Sequence, residues 1–155
     1  MFMSLVALLL LQAMSPASGP ESFFIGRTEG EGTVRIILSG HHGVRVRSRG
    51  RLEADGALRL DQTVDEEGKA PRHRTWRIVR DGPGRIGGTI SDARGPIQGE
   101  IRGNRLDIRY RSIEGPTVEQ QVTIQPGGRI AHNRMIFRRF GIVVATMEET
   151  IRRVD

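Results

Sequence analysis

The sequence predicts an all-β domain, an antiparallel meander of about nine or ten short strands that closes into a barrel. Three observations predict it. From Phe23 onward apolar and polar residues alternate with period two, the mark of half-buried strands. Turn signals built on Gly, Pro, Asn and Asp recur about every 8–12 residues. No linker, stacking repeat or low-complexity tract divides the 155 residues, one domain's worth of chain. A meander of this size stays soluble most easily by closing on itself, which removes its unpaired edges.

The N-terminus precedes the barrel. Residues 5–11 (LVALLLL) are an apolar run followed by the small residues Ser15 and Ala17, which predicts a signal peptide over 1–17, cut after Ala17. The run is shorter than the roughly 20 apolar residues of a membrane span. The segment before it, MFMS, lacks the usual basic residue, and a buried N-terminal helix is the alternative. A single domain over 18–155 follows, periplasmic or secreted.

In the first strand Val34, Ile36 and Leu38 share a face, and Gly40-His41-His42-Gly43 breaks the run. Residues 44–52 (VRVRSRGRL) alternate strictly, with Arg45, Arg47, Arg49 and Arg51 on one side. With Gly56 in the left-handed position of a three-residue loop, cross-strand pairs in the next hairpin sum to 110. That register sets Arg49 opposite Asp61 and Arg45 opposite Asp65, a charge-compensated outer wall. Residues 66–71 form a polar loop, and Arg74, Trp76 and Ile78 then share a face. Gly82-Pro83-Gly84 turns the chain; the G-x-G-x-x-G there is followed by no helix, which excludes a dinucleotide fingerprint. Ala93-Arg94-Gly95-Pro96 is read as the next turn, followed by strands at 97–102, 105–111, 118–124 and 130–138. Residues 142–154 are read as a last strand, although Val143, Met147, Thr150, Ile151 and Val154 also fit a helical stripe.

Composition narrows the function. The formal charge is +6 with a sequence pI of about 11.2, and Lys69 is the only lysine. Nucleic-acid platforms combine uncompensated positive charge with exposed aromatics. Here there are five Phe, one Tyr and one Trp, and Trp76 and Tyr110 fall with the apolar set, so nucleic acid is excluded as a partner. The absence of cysteine excludes disulfides, thiolate metal sites and a cysteine nucleophile. His41, His42, His73 and His132 complete no metal-ligand spacing, and Glu66-Glu67 and Glu148-Glu149 read as solvated edge charge. No catalytic constellation stands out, so no enzyme, cofactor or metal is expected.

The inward set carries the ligand expectation. It includes Gly50, Gly88 and Gly99, which remove volume, with Ser48, Gln62 and Gln120, which line rather than fill. Arg74 is its one charged member, two residues from Trp76 on the same face, with Asp92 the only carboxylate on offer. A buried cation needs a partner. Arg74 is therefore read either as the head-group site for an anionic amphiphile or as a structural arginine stacked on Trp76.

The motif order Phe24-x-Gly26, Gly30-x-Gly32, Arg74-x-Trp76-x-Ile78, Gly88, Asp92-x-x-Gly95-x-x-x-Gly99-x-x-x-Gly103-Asn104, Tyr110, Asn133-Arg134 and Gly141 resembles a bacterial envelope family. That family is catalogued as domain of unknown function 3833 and regarded as lipocalin-like. The resemblance implies a lipocalin/calycin-like β-barrel, an envelope location and a strand for the last segment, and it brings no established activity. Many members resemble lipoproteins, but this chain has no cysteine to acylate. The resulting expectation is an exported non-catalytic barrel that binds a small hydrophobic or anionic lipid-like ligand. Arg74 serves as head-group cation, Trp76 and Tyr110 as walls, and Gln120 and Gln62 as lining amides. The alternative is an envelope interaction module without internal ligand, meeting an anionic surface through its arginine-rich exterior.

Overall fold

The computed structural model describes residues 19–155; the predicted signal peptide lies outside the described residues. A short 3-10 helix, Pro20–Phe24, leads into ten strands: β1 Gly26–Ile36, β2 Gly40–Leu52, β3 Leu58–Glu66, β4 Arg72–Gly82, β5 Arg85–Ile90, β6 Ala93–Arg102, β7 Arg105–Ser112, β8 Thr117–Ile124, β9 Ile130–Arg139 and β10 Ile142–Arg153. Each strand pairs antiparallel with its sequence neighbours, and β10 closes onto β1. The barrel is therefore complete, and no strand edge is left open among the described residues.

Period two drives the local structure. Along β2, Val44, Val46, Ser48 and Gly50 are buried, while the intervening arginines are exposed. Gly56 adopts φ 86°, and the register of β2 on β3 sets Arg49 opposite Asp61 and Arg45 opposite Asp65. The side chains choose other partners within that register. Arg45 reaches Glu31 at 3.5 Å and Arg47 reaches Asp65 at 3.7 Å. Asp61 is taken by Arg59 and by the Thr75 hydroxyl. Nearly all of these groups are well exposed, so the wall contributes charge balance more than stability.

Two elements depart from the sequence reading, and the last segment, read as a strand against a helical alternative, is a strand. Leu38 leaves the first strand's face because β1 ends at Ile36 and the chain turns through Leu38 at φ 65°. Residues 93–96 are no turn: they belong to β6, where a register shift between Arg94 and Gln98 accommodates Gly95-Pro96. A bulge suits proline, which has no N–H for the ladder. The last segment is a strand with a bulge between Val143 and Ala145, and that phase slip is what blurred its alternation.

The barrel has a closed end and a mouth. At the closed end the 3-10 helix inserts Phe23 and Phe24 into the core, their rings edge to face at 5.2 Å. Glu21, fully buried, accepts from Arg80 Nε at 2.7 Å and pairs with its Nη2 at 2.6 Å. Gly50 leaves room for the helix, since a Cβ there would overlap the Phe24 carbonyl oxygen. At the mouth, the five turns joining odd to even strands form a ring. Leu38 and Phe140 both take left-handed backbone there, at φ 65° and 50°. This conformation costs a non-glycine residue about 1 kcal/mol or more.

Candidate functional site

The site is assembled by neighbouring inward positions on β3, β4 and β7. Gln62 lies opposite Arg74 in the ladder, so one amide oxygen reaches two donors. It accepts from Arg74 Nε and from Trp76 Nε1, each at 2.7 Å, while the Gln62 amide donates to Ser48 Oγ at 3.0 Å. The guanidinium lies 5.6 Å from the Trp76 ring centroid, and Trp76 meets Tyr110 edge-on at 5.8 Å. Four of the five expected residues thus form one cluster. This network consumes only Nε of Arg74. Its Nη1 faces Asp92 at 3.8 Å, a loose pair, and one Asp92 oxygen is buried without a hydrogen bond.

Arg74 divides the interior. Above it, toward the mouth, lies a cavity of about 400 Å³ with apolar walls from Val44, Val64, Val118, Met135, Phe137 and Met147. Tyr110 lines this upper cavity, and burial raises its pKa above the ordinary value against the opposing effect of Arg74. Below it is a void of about 30 Å³ that Gln62, Trp76 and the fifth residue, Gln120, line with Ser48, Asn133 and Glu149. A space of that size suits about one or two waters. Gln120 is therefore apart from the upper cavity, and its buried Oε1 has no hydrogen-bond partner.

The rim of the upper cavity is charged. Glu66 binds His42 at 2.9 Å, Lys69 at 3.2 Å and Arg72 at 3.2 Å. Burial pushes its pKa up, but the His42 and Lys69 hydrogen bonds and the Arg72 and Lys69 charges outweigh that and leave it below the ordinary value. The reading of Glu66 as solvated edge charge is thereby corrected, as is that of Gly40-His41-His42-Gly43 as a break: His42 lies on β2 and joins Glu66 in a half-buried rim cluster.

Glu149, read from the sequence as solvated edge charge, is instead a buried inward residue that sequence reasoning missed. It points into the barrel, buried, and accepts from Asn133 Nδ2 at 2.9 Å, with its second oxygen unpartnered. Burial raises its pKa, while the Asn133 bond and the Arg74 charge lower it; burial wins. A signal for it existed. Gly32 is its ladder partner on β1, and a Cβ at Gly30 would strike the Glu149 carboxylate. The roles assigned to Gly50, Gly88 and Gly99 are corrected as well. A Cβ at each would meet backbone carbonyl oxygens, of Phe24, Arg77 and Asp107, so these glycines admit close backbone approach and open no cavity.

Among the described residues no group of three or more His, Asp or Glu side chains is placed to hold a metal ion. No curated protein matches the chain. The family model described as "Protein of unknown function (DUF3833)" matches residues 5–153. Among solved structures, an S-type phycobiliprotein lyase from Guillardia theta superposes with a TM-score of 0.70 at 8% identity, over 86% of this chain and 90% of that one. A protein of unknown function of the DUF3598 family from Nostoc punctiforme gives 0.63 at 13% identity, over 86% of this chain and 48% of that one. At these identities the likeness is one of fold.

Proposed function

The chain belongs to the DUF3833 family, and on that premise we propose that it is an exported, non-catalytic barrel that takes one small amphiphile into its upper cavity, acidic head on Arg74. The observation that carries this reading is the half-used guanidinium. Gln62 and Trp76 fix its Nε side, leaving the Nη groups at the floor of a cavity of about 400 Å³, with the Tyr110 hydroxyl beside them and a loose 3.8 Å contact to Asp92. A purely structural arginine would spend its fork on well-placed acceptors. Here an incoming carboxylate or phosphate would gain a bidentate partner already held in place, and its apolar body would lie along Val64, Val118, Met135 and Phe137.

Tyr110, whose pKa burial raises above its ordinary value, supplies a hydroxyl beside the head group. Trp76 and Gln62 act through Arg74 by holding it; Gln120 faces the lower void. Export rests on the apolar run at residues 5–11.

The test is native mass spectrometry of the protein recovered from its own host, followed by solvent extraction. The expected result is a chain beginning at Ser18 that carries one discrete added mass, extracted as an acidic lipid-like molecule. A bare chain that also fails to bind any member of a fatty-acid and phospholipid panel would refute internal ligand binding. A retained N-terminus would refute export alone.

A further inference from the structure

We propose that the mouth end of the barrel docks on an anionic lipid bilayer through three consecutive turns. The observation that carries this is where the large apolar side chains lie in water. Leu38 and Phe140 are each 102% exposed relative to a reference chain, Ile142 is 69% exposed, and Ile37 and Ile113 are 53% exposed. All five belong to the β1–β2, β9–β10 and β7–β8 connections or their first flanking residue. Around the closed barrel these connections are adjacent, because β10 pairs with both β1 and β9, and β9 pairs with β8. Direct bonds tie them together: Ile37 N–H donates to the Val144 carbonyl at 3.0 Å, and Arg139 Nη2 donates to the Glu114 carbonyl at 3.0 Å. The two remaining mouth turns, at 67–71 and 91–92, carry no large apolar residue.

Turn chemistry does not explain these residues. Leu38 and Phe140 occupy left-handed backbone positions that glycine or asparagine would take with less strain. Both are fully exposed, so neither repays that strain by filling the core. What they gain is projection: each puts a large apolar side chain at the tip of its hairpin.

Charge selects the partner. Arg35, Arg111 and Arg139 surround these tips, are exposed, and form no ion pair among the described residues. Arg138 is paired with Glu119 at 3.3 Å, and Glu114 is the one acidic residue within the three turns. Separate apolar prongs backed by unpaired guanidinium groups suit a penetrable surface of acyl chains under anionic phosphates. A folded partner would require a continuous complementary face, and the closed barrel offers no strand edge for pairing. The arginine-rich β2 wall is the wrong candidate, because it lacks exposed large apolar residues apart from Leu52 at the far end. The proposal does not depend on what the upper cavity holds, although docking in this pose would set the cavity's opening against the lipid.

The experiment is cosedimentation of the full chain with vesicles of phosphatidylcholine, alone or mixed with phosphatidylglycerol, for the wild type and for Leu38→Asn/Phe140→Asn. Asparagine tolerates left-handed backbone, so the double variant should unfold at the same or a higher temperature. Binding to the mixed vesicles should fall as salt rises and weaken about tenfold or more in the double variant. A control variant, Arg45→Gln/Arg47→Gln on the β2 wall, should bind like the wild type. Unchanged binding by the double variant would overturn the proposal, as would equal binding to neutral vesicles or a loss in the β2 control as large as that in the double variant. Absence of binding by the wild type, or a wild-type dimer in sedimentation velocity that the double variant abolishes, would also overturn it, the last by assigning the tips to a second copy of the chain.

Discussion

At the closed end of the barrel Glu21 sits against Arg80 beside Phe23 and Phe24, and every large apolar side chain of the 3-10 helix is buried. At the mouth, Leu38 and Phe140 stand in water on strained backbone, and Arg74 holds a guanidinium whose fork is half used. The same alternating strands run from one end to the other, so the difference is not one of secondary structure. It lies in whether apolar groups are covered, since polar pairing does not separate the ends: one Glu21 oxygen is buried without a hydrogen bond, while Glu66 at the mouth has three partners. Left-handed non-glycine backbone and fully exposed apolar side chains gather at the mouth, as expected of the working end.

The largest effect expected on breaking this contrast is at the buried pair. Glu21→Ala leaves Arg80 uncompensated near the core and should cost about 3–5 kcal/mol in denaturant unfolding. The rim charge Lys69, by contrast, is 58% exposed, so Lys69→Ala should change stability by no more than about 1 kcal/mol. A value for Glu21→Ala as small as that for Lys69→Ala would remove the distinction between the two ends.

Glycine substitutions on a single strand sharpen it. Gly50→Ala would push a methyl group into the Phe24 carbonyl and should destabilise by about 1–3 kcal/mol. Gly43→Ala, at the mouth end of the same strand, meets only Glu67 Oε2 at 3.6 Å and should be neutral or slightly stabilising. Thermal unfolding of the two variants side by side decides between them.

The smallest effects are slopes of stability with pH, and they have opposite signs. In the folded protein Glu149 keeps its proton to a higher pH than in the unfolded chain. The unfolded state therefore loses protons first, and Glu149 lowers stability as pH rises from the ordinary glutamate range through its raised folded value. Glu149→Gln should remove that loss. Glu66 is depressed, so its contribution is present above the ordinary glutamate range and is lost as pH falls through its lowered folded value. Glu66→Gln should flatten the acid side of the profile. Urea midpoints measured across pH for both variants check the pair of signs.

Much of the fold was legible because period two reports directly on which face is buried, and Gly56 sets the β2–β3 register through one turn conformation. The cluster of Arg74, Trp76 and Gln62 was legible for the same reason, since inward positions on paired strands become neighbours, whereas Tyr110 on β7 meets Trp76 across the barrel interior. Glu149 was not. The bulge at Val143 and Ala145 hides the phase of its strand, and an inward carboxylate shows in sequence only through glycines on a strand more than a hundred residues away. The use of Gly50 was equally hidden, because it depends on where the 3-10 helix crosses the barrel end. The division of the interior at Arg74 follows from side-chain lengths meeting across the barrel, which alternation does not encode.

The central claim is that Arg74 receives an acidic head group at the floor of the upper cavity, and Trp76, the only tryptophan, lies beneath that guanidinium. The most direct measurement is its fluorescence during titration with dodecanoate, repeated with dodecanol and with Arg74→Met. A charge-assisted contact of about 1.5–3 kcal/mol predicts saturable one-to-one binding of dodecanoate, weakened about tenfold or more for dodecanol or for the variant. Equal affinity for acid and alcohol, or an Arg74→Met barrel that binds dodecanoate as well as the wild type does, would contradict it.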